Sequence, residues 1–168
     1  MAIIETGDRE TEASEKVEVI VVLDRLRSAH NVGNIFRLAD AANVEAVYTC
    51  GYTASPPHPK LEKTAMGTDE FVNCEHFDHS LEAVGSLKKN GYRVYAVDTI
   101  DSAIDVHEAQ FSGKCAFVFG NEALGIQQET LEACDEYIRL NAHGRKNSIN
   151  VSNCAAVVLF QASYKLRK

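Results

Sequence analysis

Apolar residues in this chain fall into two alternating rhythms. Val17-Glu-Val-Ile-Val-Val-Leu23 is β-branched and almost unbroken in apolar residues, as in a strand covered on both faces. Asp24 to His30 is polar and reads as a loop. Val32, Ile35, Phe36 and Ala39 then recur at helical spacing and predict a helix running to about Ala42. Ala46 to Cys50 returns to strand character, and Gly51 to Lys60, with Pro56, Pro57 and Pro59, predicts an extended loop. A short helix is expected from Leu61 to Met66, stopped by Gly67. A second amphipathic helix is expected from Leu81 to Lys89, ended by Asn90-Gly91.

The second half repeats the alternation. Tyr92 to Val97, Cys115 to Phe119 and Glu136 to Leu140 read as strands, and Leu131 to Cys134 as the end of a short helix. Val151, Ala155, Val158, Leu159 and Ala162 follow the spacing of a closing helix with one buried face. Strands alternating with helices at this rhythm predict an α/β domain over 17–168, a mostly parallel sheet with helices on both faces. Ligands in such folds collect beyond the carboxyl ends of the strands. That rule places Asp24 to Asn34, Asp98-Thr99, Gly120 to Gly125 and Asn141 to Asn150 along one edge of the sheet.

Composition narrows the class. With 168 residues, 45% of them hydrophobic and only three prolines, the chain reads as one soluble globular domain. No apolar run approaches a membrane helix and the N-terminus is too acidic for a signal peptide, so a cytoplasmic location is expected. The cysteines, Cys50, Cys74, Cys115, Cys134 and Cys154, are odd in number and lack a Cys-x-x-Cys pair. Buried free thiols are expected, with neither a disulfide framework nor a zinc site. A formal charge of −7 argues mildly against nucleic acid as a partner. Its distribution weakens that objection: residues 1–16 hold five acids against two bases and read as a loose acidic tail. Arg25, Arg27, His30 and Arg37 form one cationic region, and Arg139, Arg145 and Lys146 another.

Three polar stretches carry the candidate chemistry. Asn31-Val-Gly-Asn-Ile-Phe-Arg37 opens a helix; taken alone, Asn31 can be its cap, Gly33 a packing residue and Arg37 a surface cation. Phe117-Val-Phe-Gly-Asn-Glu-Ala-Leu-Gly125 runs from a strand into a glycine-bounded acidic turn. It is neither a dinucleotide fingerprint nor a P-loop. Leu140-Asn-Ala-His-Gly-Arg-Lys-Asn-Ser-Ile-Asn-Val-Ser-Asn153 leads into the last helix, with Ser148 and Asn150 at its mouth. Unpaired N–H groups there favour polar or anionic partners.

In this order and spacing the three stretches closely resemble the motifs of the SpoU (TrmH-like) branch of the SPOUT class of RNA methyltransferases, over about Val19 to Tyr164. The resemblance implies a C-terminal trefoil knot and a homodimer. It also implies transfer of a methyl group from S-adenosylmethionine, without a metal, to a ribose 2′-hydroxyl of tRNA or rRNA, with tRNA the likelier partner. Carried over by position, it implies catalytic roles for Asn31, Arg37, Glu122, Ser148 and Asn150. Cofactor contacts are implied at Val97, Gly120, Leu140, Ser148 and Ile149, largely through backbone. Family members often carry an apolar pair after the residue matching Leu140, whereas this loop carries His143, which alters the fit expected there. A separate N-terminal RNA-binding domain is not expected, so the catalytic dimer itself would grip RNA.

A sulfonium methyl donor needs a nucleophile aligned opposite the leaving sulfur, and a ribose hydroxyl reacts only as its proton leaves. Family proposals make the first-motif arginine the base. A guanidinium pKa above about 12 argues instead that Arg37 holds phosphate or alkoxide, with a phosphate oxygen as the proton acceptor. Two alternatives stay open: a base-methylating SPOUT relative, and a catalytically inactive knotted RNA-binding or assembly factor.

Overall fold

The computed structural model describes residues 14–168. The acidic tail expected over 1–16 lies, except for its last three residues, outside the described residues. Seven strands form one sheet: β1 (Val17–Asp24), β2 (Val44–Cys50), β3 (Cys74–Phe77), β4 (Arg93–Val97), β5 (Ile104–Asp105), β6 (Cys115–Gly120) and β7 (Glu136–Arg139). Their order is β3-β2-β1-β6-β4-β7-β5, and every pairing is parallel. Five α-helices connect and cover them: α1 (Ala29–Ala41), α2 (Pro59–Ala65), α3 (Ser80–Lys89), α4 (Gln128–Ala133) and α5 (Val151–Leu166).

Alternation along β1 explains the two layers. Val17, Val19, Val21 and Leu23 point into a core with α1, α2 and α5. Ile20 and Val22 point the opposite way, into a second core with α3 and the segment around Ile126 and Cys134. Both faces are therefore apolar, which is why the strand reads as a continuous hydrophobic run. The helical faces expected from spacing are buried: Val32, Ile35, Phe36 and Ala39 on α1, and Ala155, Val158, Leu159 and Ala162 on α5.

Two elements depart from the expectation. β3 has the polar sequence Cys-Glu-His-Phe and is mostly exposed at the edge of the sheet, so no apolar pattern marks it. β5 is two residues long, at the other edge. The cysteines are free, as expected, but not uniformly buried: Cys74 is exposed on β3 and Cys154 is half-buried. No helix among the described residues is long and apolar enough to cross a membrane.

A glycine fixes one close approach between helices, and aromatic rings and a lysine fix a second connection. A Cβ at Gly33 would collide with the Thr64 side chain and lie 2.9 Å from the Ala65 nitrogen, so α1 and α2 meet only because that position has no side chain. The 98–114 connection is held from below by Tyr95, Phe111 and Phe117, whose ring centroids lie 5.2 to 5.4 Å apart. Lys165 of α5 clamps it by donating to the Ala109 carbonyl at 2.6 Å and the His107 carbonyl at 2.9 Å.

Candidate functional site

Because all strands run the same way, their carboxyl ends line up, and a cavity of about 500 Å³ opens there. That volume lies within the range of small-molecule sites, about 300–1,000 Å³. The tips of β4, β6 and β7 and the segment before α5 wall it. Val97, Gly120, Leu140, Ser148 and Ile149, the residues the resemblance assigned to a cofactor, all line it. So do Glu122 and Asn150.

The floor is a hairpin-like turn. Asn121 and Gly125 exchange backbone hydrogen bonds of 3.2 and 2.9 Å, folding 121–125 back over the end of β6. Gly120 lies beneath that fold: a Cβ there would strike the backbone of Gly125 and Ile126. Asn121 organises the turn from inside. Its Oδ1 accepts from Ala123 and Leu124 N–H, both at 2.9 Å, while its Nδ2 donates to the Arg25 carbonyl and the Tyr52 hydroxyl, both at 2.8 Å.

A buried charge pair anchors the turn to β1. Asp24, fully buried, accepts from Arg25 Nε at 3.1 Å and from Gln127 N–H at 2.8 Å. Arg25 in turn donates through Nη2 to the Gly125 carbonyl at 3.1 Å. The polar stretch from Asp24, expected to be loop, opens with the tie between two strand ends: Asp24 is the last residue of β1 and Arg25 follows it. The strand-end rule reaches their place at this edge but not their pairing, because a buried aspartate beside its own partner looks like a solvated pair in sequence.

Three motifs meet in one hydrogen-bonded chain. Glu122 accepts from the N–H groups of Arg27 (2.9 Å) and Ser28 (3.2 Å), and from Asn31 Nδ2 at 3.2 Å. Asn31 Oδ1 accepts from Asn150 Nδ2 at 3.2 Å. Asn150 is the N-cap of α5, its Oδ1 accepting from Ser152 N–H (2.9 Å), Ser152 Oγ (2.7 Å) and Asn153 N–H (3.3 Å). A carboxylate only accepts, so Asn31 must turn its NH₂ to Glu122 and its oxygen to Asn150, and both carboxamides are locked. Burial pushes the Glu122 carboxyl up, but the Arg27, Asn31 and Ser28 donors outweigh it and hold the group below the usual value of 4.5.

Asn31 is thus not the cap of α1. Ser28 is, its hydroxyl accepting from Asn31 N–H at 3.2 Å. Arg37 does not line the cavity. It lies two turns along α1 on the face of His30 and Asn34, exposed, with no ion pair or hydrogen bond among the described residues. Ser148 lines the cavity without a side-chain hydrogen bond among the described residues.

Sequence reasoning reached Asp98 and Thr99 only through the strand-end rule, yet both line the cavity. Asp98 Oδ1 accepts from Thr99 N–H at 2.7 Å, and a Cβ at Gly125 would lie 3.1 Å from its Oδ2. Cys154 also lines the cavity; burial, then the charge of Asp98, pushes its thiol up to about 11. Among the described residues no group of three or more His, Cys, Asp or Glu could hold a metal ion.

A parallel α/β sheet with three loops converging on a cofactor-sized cavity defines a ligand-binding domain of the SpoU type. The chain belongs to the SpoU rRNA Methylase family, which matches residues 18–160. It is 32% identical over 151 residues to the 23S rRNA (guanosine-2'-O-)-methyltransferase RlmB of Vibrio cholerae, spanning 89% of this chain and 60% of that protein. It is 31% identical over 145 residues to the tRNA (guanosine(18)-2'-O)-methyltransferase of Thermus thermophilus, spanning 86% of this chain and 74% of that protein. The fold matches the TrmH/SpoU tRNA modifying enzyme of A. aeolicus with a TM-score of 0.81 at 24% identity, over 89% of this chain and 76% of that one. The AdoMet-bound rRNA methyltransferase of Sinorhizobium meliloti also gives a TM-score of 0.81 at 24% identity, over 89% of this chain and 57% of that one. The chain spans about 60% of the length of the RlmB relatives.

Proposed function

We propose that this chain is an S-adenosylmethionine-dependent RNA methyltransferase that modifies a ribose 2′-hydroxyl, acting as a homodimer in the cytoplasm, with tRNA ahead of rRNA as substrate. The observation that carries this reading is the Asn150–Asn31–Glu122 chain at the rim of a cavity lined by every residue expected to touch the cofactor. The cavity suits the group chemically. Asp98 and Glu122 are acidic side chains in its lining that would favour a sulfonium or an ammonium. When bound, S-adenosylmethionine supplies an electrophilic methyl group.

The chain's own residues do the rest. Val97, Gly120, Leu140, Ser148 and Ile149 would hold the cofactor largely through backbone, and Ser148 and Asn150 would orient the ribose. Glu122 and Asn31 keep the three loops in one geometry, so that positioning supplies most of the rate. Arg37 grips phosphate or the developing alkoxide with its fork, and a phosphate oxygen takes the proton. Its distance from the cavity within one subunit supports a partner subunit as the one it serves. Exposed Phe160 and Tyr164 on the neighbouring α5 support an interface on that side of the molecule. The trefoil threading is supported by β7, which inserts between β4 and β5 although those two strands precede it in the chain. Relatives named for tRNA and for rRNA leave the RNA class to experiment.

The test is incubation with methyl-labelled S-adenosylmethionine and RNA from cells lacking the protein, followed by nucleoside analysis. Label in a 2′-O-methyl nucleoside is expected. Label in a base favours the base-methylating alternative, and absence of cofactor binding by calorimetry favours the inactive assembly factor. Arg37→Lys is expected to slow single-turnover methylation by at least about tenfold, because a point charge cannot replace a fork. Nearly full rate in that variant removes the role given to the guanidinium.

A further inference from the structure

A second cavity, of about 670 Å³, opens beside the first, between the start of α1, the 52–58 loop and α2. Its charge is unlike that of the whole chain. Arg27, Lys60 and Lys63 line it together with His30 and His58, and no Asp or Glu is among its twelve lining residues. On a chain of net charge −7 this is a segregated cationic groove. The sequence builds it deliberately. Pro59 starts α2, Leu61 and Ala65 bury one side of it, and Lys60, Lys63 and Thr64 fall on the other side at i, i+3 and i+4. Gly33 lets α2 close against α1, so these lysines face the α1 end.

The groove shares a wall with the cofactor-sized cavity. Arg27 and Ser28, which line the groove, give their N–H groups to Glu122, which lines the cavity. Tyr52 also lines the groove; the residue is 60% exposed while its hydroxyl accepts from Asn121, a residue of the first cavity, at 2.8 Å. An exposed aromatic ring pinned by its hydroxyl is a ready stacking platform, since every base presents a π-face. His58 Nδ1 is buried beside the groove without a hydrogen-bond partner among the described residues.

We propose that this groove carries the single-stranded RNA next to the modified nucleotide, with backbone phosphates on Arg27, Lys60 and Lys63 and one base stacked on Tyr52. The proposal rests on the RNA substrate of the preceding section and adds the path by which the strand reaches the cavity. The outward face of α1 that begins with His30 at the groove continues to Arg37, which puts one further cation two turns along that helix.

The test titrates the full chain with a fluorescein-labelled short single-stranded RNA of mixed sequence, over a series of salt concentrations. Each lost phosphate contact takes about 0.7 from the logarithmic salt slope, so Lys60→Gln/Lys63→Gln should flatten it by about 1.4 and weaken binding roughly 25-fold at about 0.1 M salt, referenced to 1 M. Lys89→Gln/Lys114→Gln removes the same charge near the amino ends of β4 and β6, away from the groove, and should leave the slope unchanged. Tyr52→Ala should weaken binding roughly 5- to 150-fold, whereas Tyr52→Phe keeps the ring, loses only its pin and should weaken binding by less. Equal losses in the two lysine pairs overturn the proposal, as does a phenylalanine variant as weak as the alanine one. Calorimetry with S-adenosylmethionine on the same samples separates the two readings. Normal cofactor binding and methyl transfer with an unaltered salt slope in Lys60→Gln/Lys63→Gln sinks the groove alone. A chain that binds no cofactor, yet grips RNA through Lys60 and Lys63, sinks the methyl-transfer reading and keeps the groove.

Discussion

Replacing Asn31 by Asp exchanges one amide nitrogen for an oxygen of nearly equal size, so the packing of a residue only 7% exposed is kept and electrostatics alone change. The Nδ2 that donates to Glu122 at 3.2 Å becomes a like charge at that separation. At 3.2 Å two unit charges repel by about 5 kcal/mol at an effective dielectric of 20 and by about 1.3 kcal/mol in water. Glu122 is open to solvent, which draws the value down to about 2 kcal/mol. Losing a hydrogen bond to a charged acceptor adds roughly 1.5 kcal/mol, and a stronger bond from Asn150 to the new carboxylate returns roughly 1 kcal/mol. The net loss is about 2.5 kcal/mol at pH 7, and salt hardly reduces it because the pair is well inside a Debye length of about 8 Å.

The sign with pH distinguishes this account from a packing defect. In the folded Asn31→Asp variant the paired carboxyls hold a proton to higher pH than in the unfolded chain. The penalty is therefore complete above that raised value and disappears as pH falls through the ordinary carboxylate range. Wild type behaves oppositely: the stabilisation from Glu122, held below 4.5, is present above that value and is lost as pH falls through the depressed one. The two stabilities should converge on acidification. Urea unfolding at about pH 7 and about pH 4.5 reads both. A variant within about 0.5 kcal/mol of wild type at pH 7, or a gap that does not narrow in acid, refutes the chain of hydrogen bonds as drawn.

Gly120→Ala should abolish cofactor binding by calorimetry and cost roughly 3 kcal/mol in a urea melt, because its Cβ meets backbone that cannot move without opening the 121–125 turn. Lys165→Met should cost about 1–2 kcal/mol and speed hydrogen exchange at 106–112, since two carbonyls lose their shared donor. Cys154, with its thiol pushed up to about 11 from 9.0, should react with iodoacetamide at pH 8 about a hundredfold more slowly than an unperturbed thiol, as mass spectrometry can read.

Periodicity made the strands and helices of the two cores legible, because β1, α1 and α5 each bury an apolar set at its proper repeat. It failed where burial is slight: β3 is a polar edge strand, and β5 pairs over two residues only. The site was legible as three polar stretches at strand ends, but the division of labour inside it was not. Ser28 and Asn31 are both good caps by type, and only the pull of Glu122 on the Asn31 amide decides between them. The cationic region of Arg25, Arg27, His30 and Arg37 likewise scatters. Arg25 turns inward to Asp24, Arg27 and His30 reach the groove, and Arg37 lies on the His30 face two turns farther along α1, clear of the groove lining.

Net charge was the observation least favourable to an RNA substrate, and the structure changes its weight through distance. Residues 1–16 contribute −3 of the −7, while the groove holds three cations and no carboxylate among its lining residues. At about 0.15 M salt the Debye length is about 8 Å, so a phosphate in the groove feels Arg27, Lys60 and Lys63 and little of any acid farther away than that. At about 0.01 M it grows to about 30 Å, and the charge of the whole molecule opposes the approach. The logarithm of RNA affinity should therefore rise as salt falls and then level off at the lowest salt. A simple basic protein keeps a straight line. A straight line here over the whole range would mean that the acids do not reach the groove even unscreened, and that net charge was never an argument against RNA.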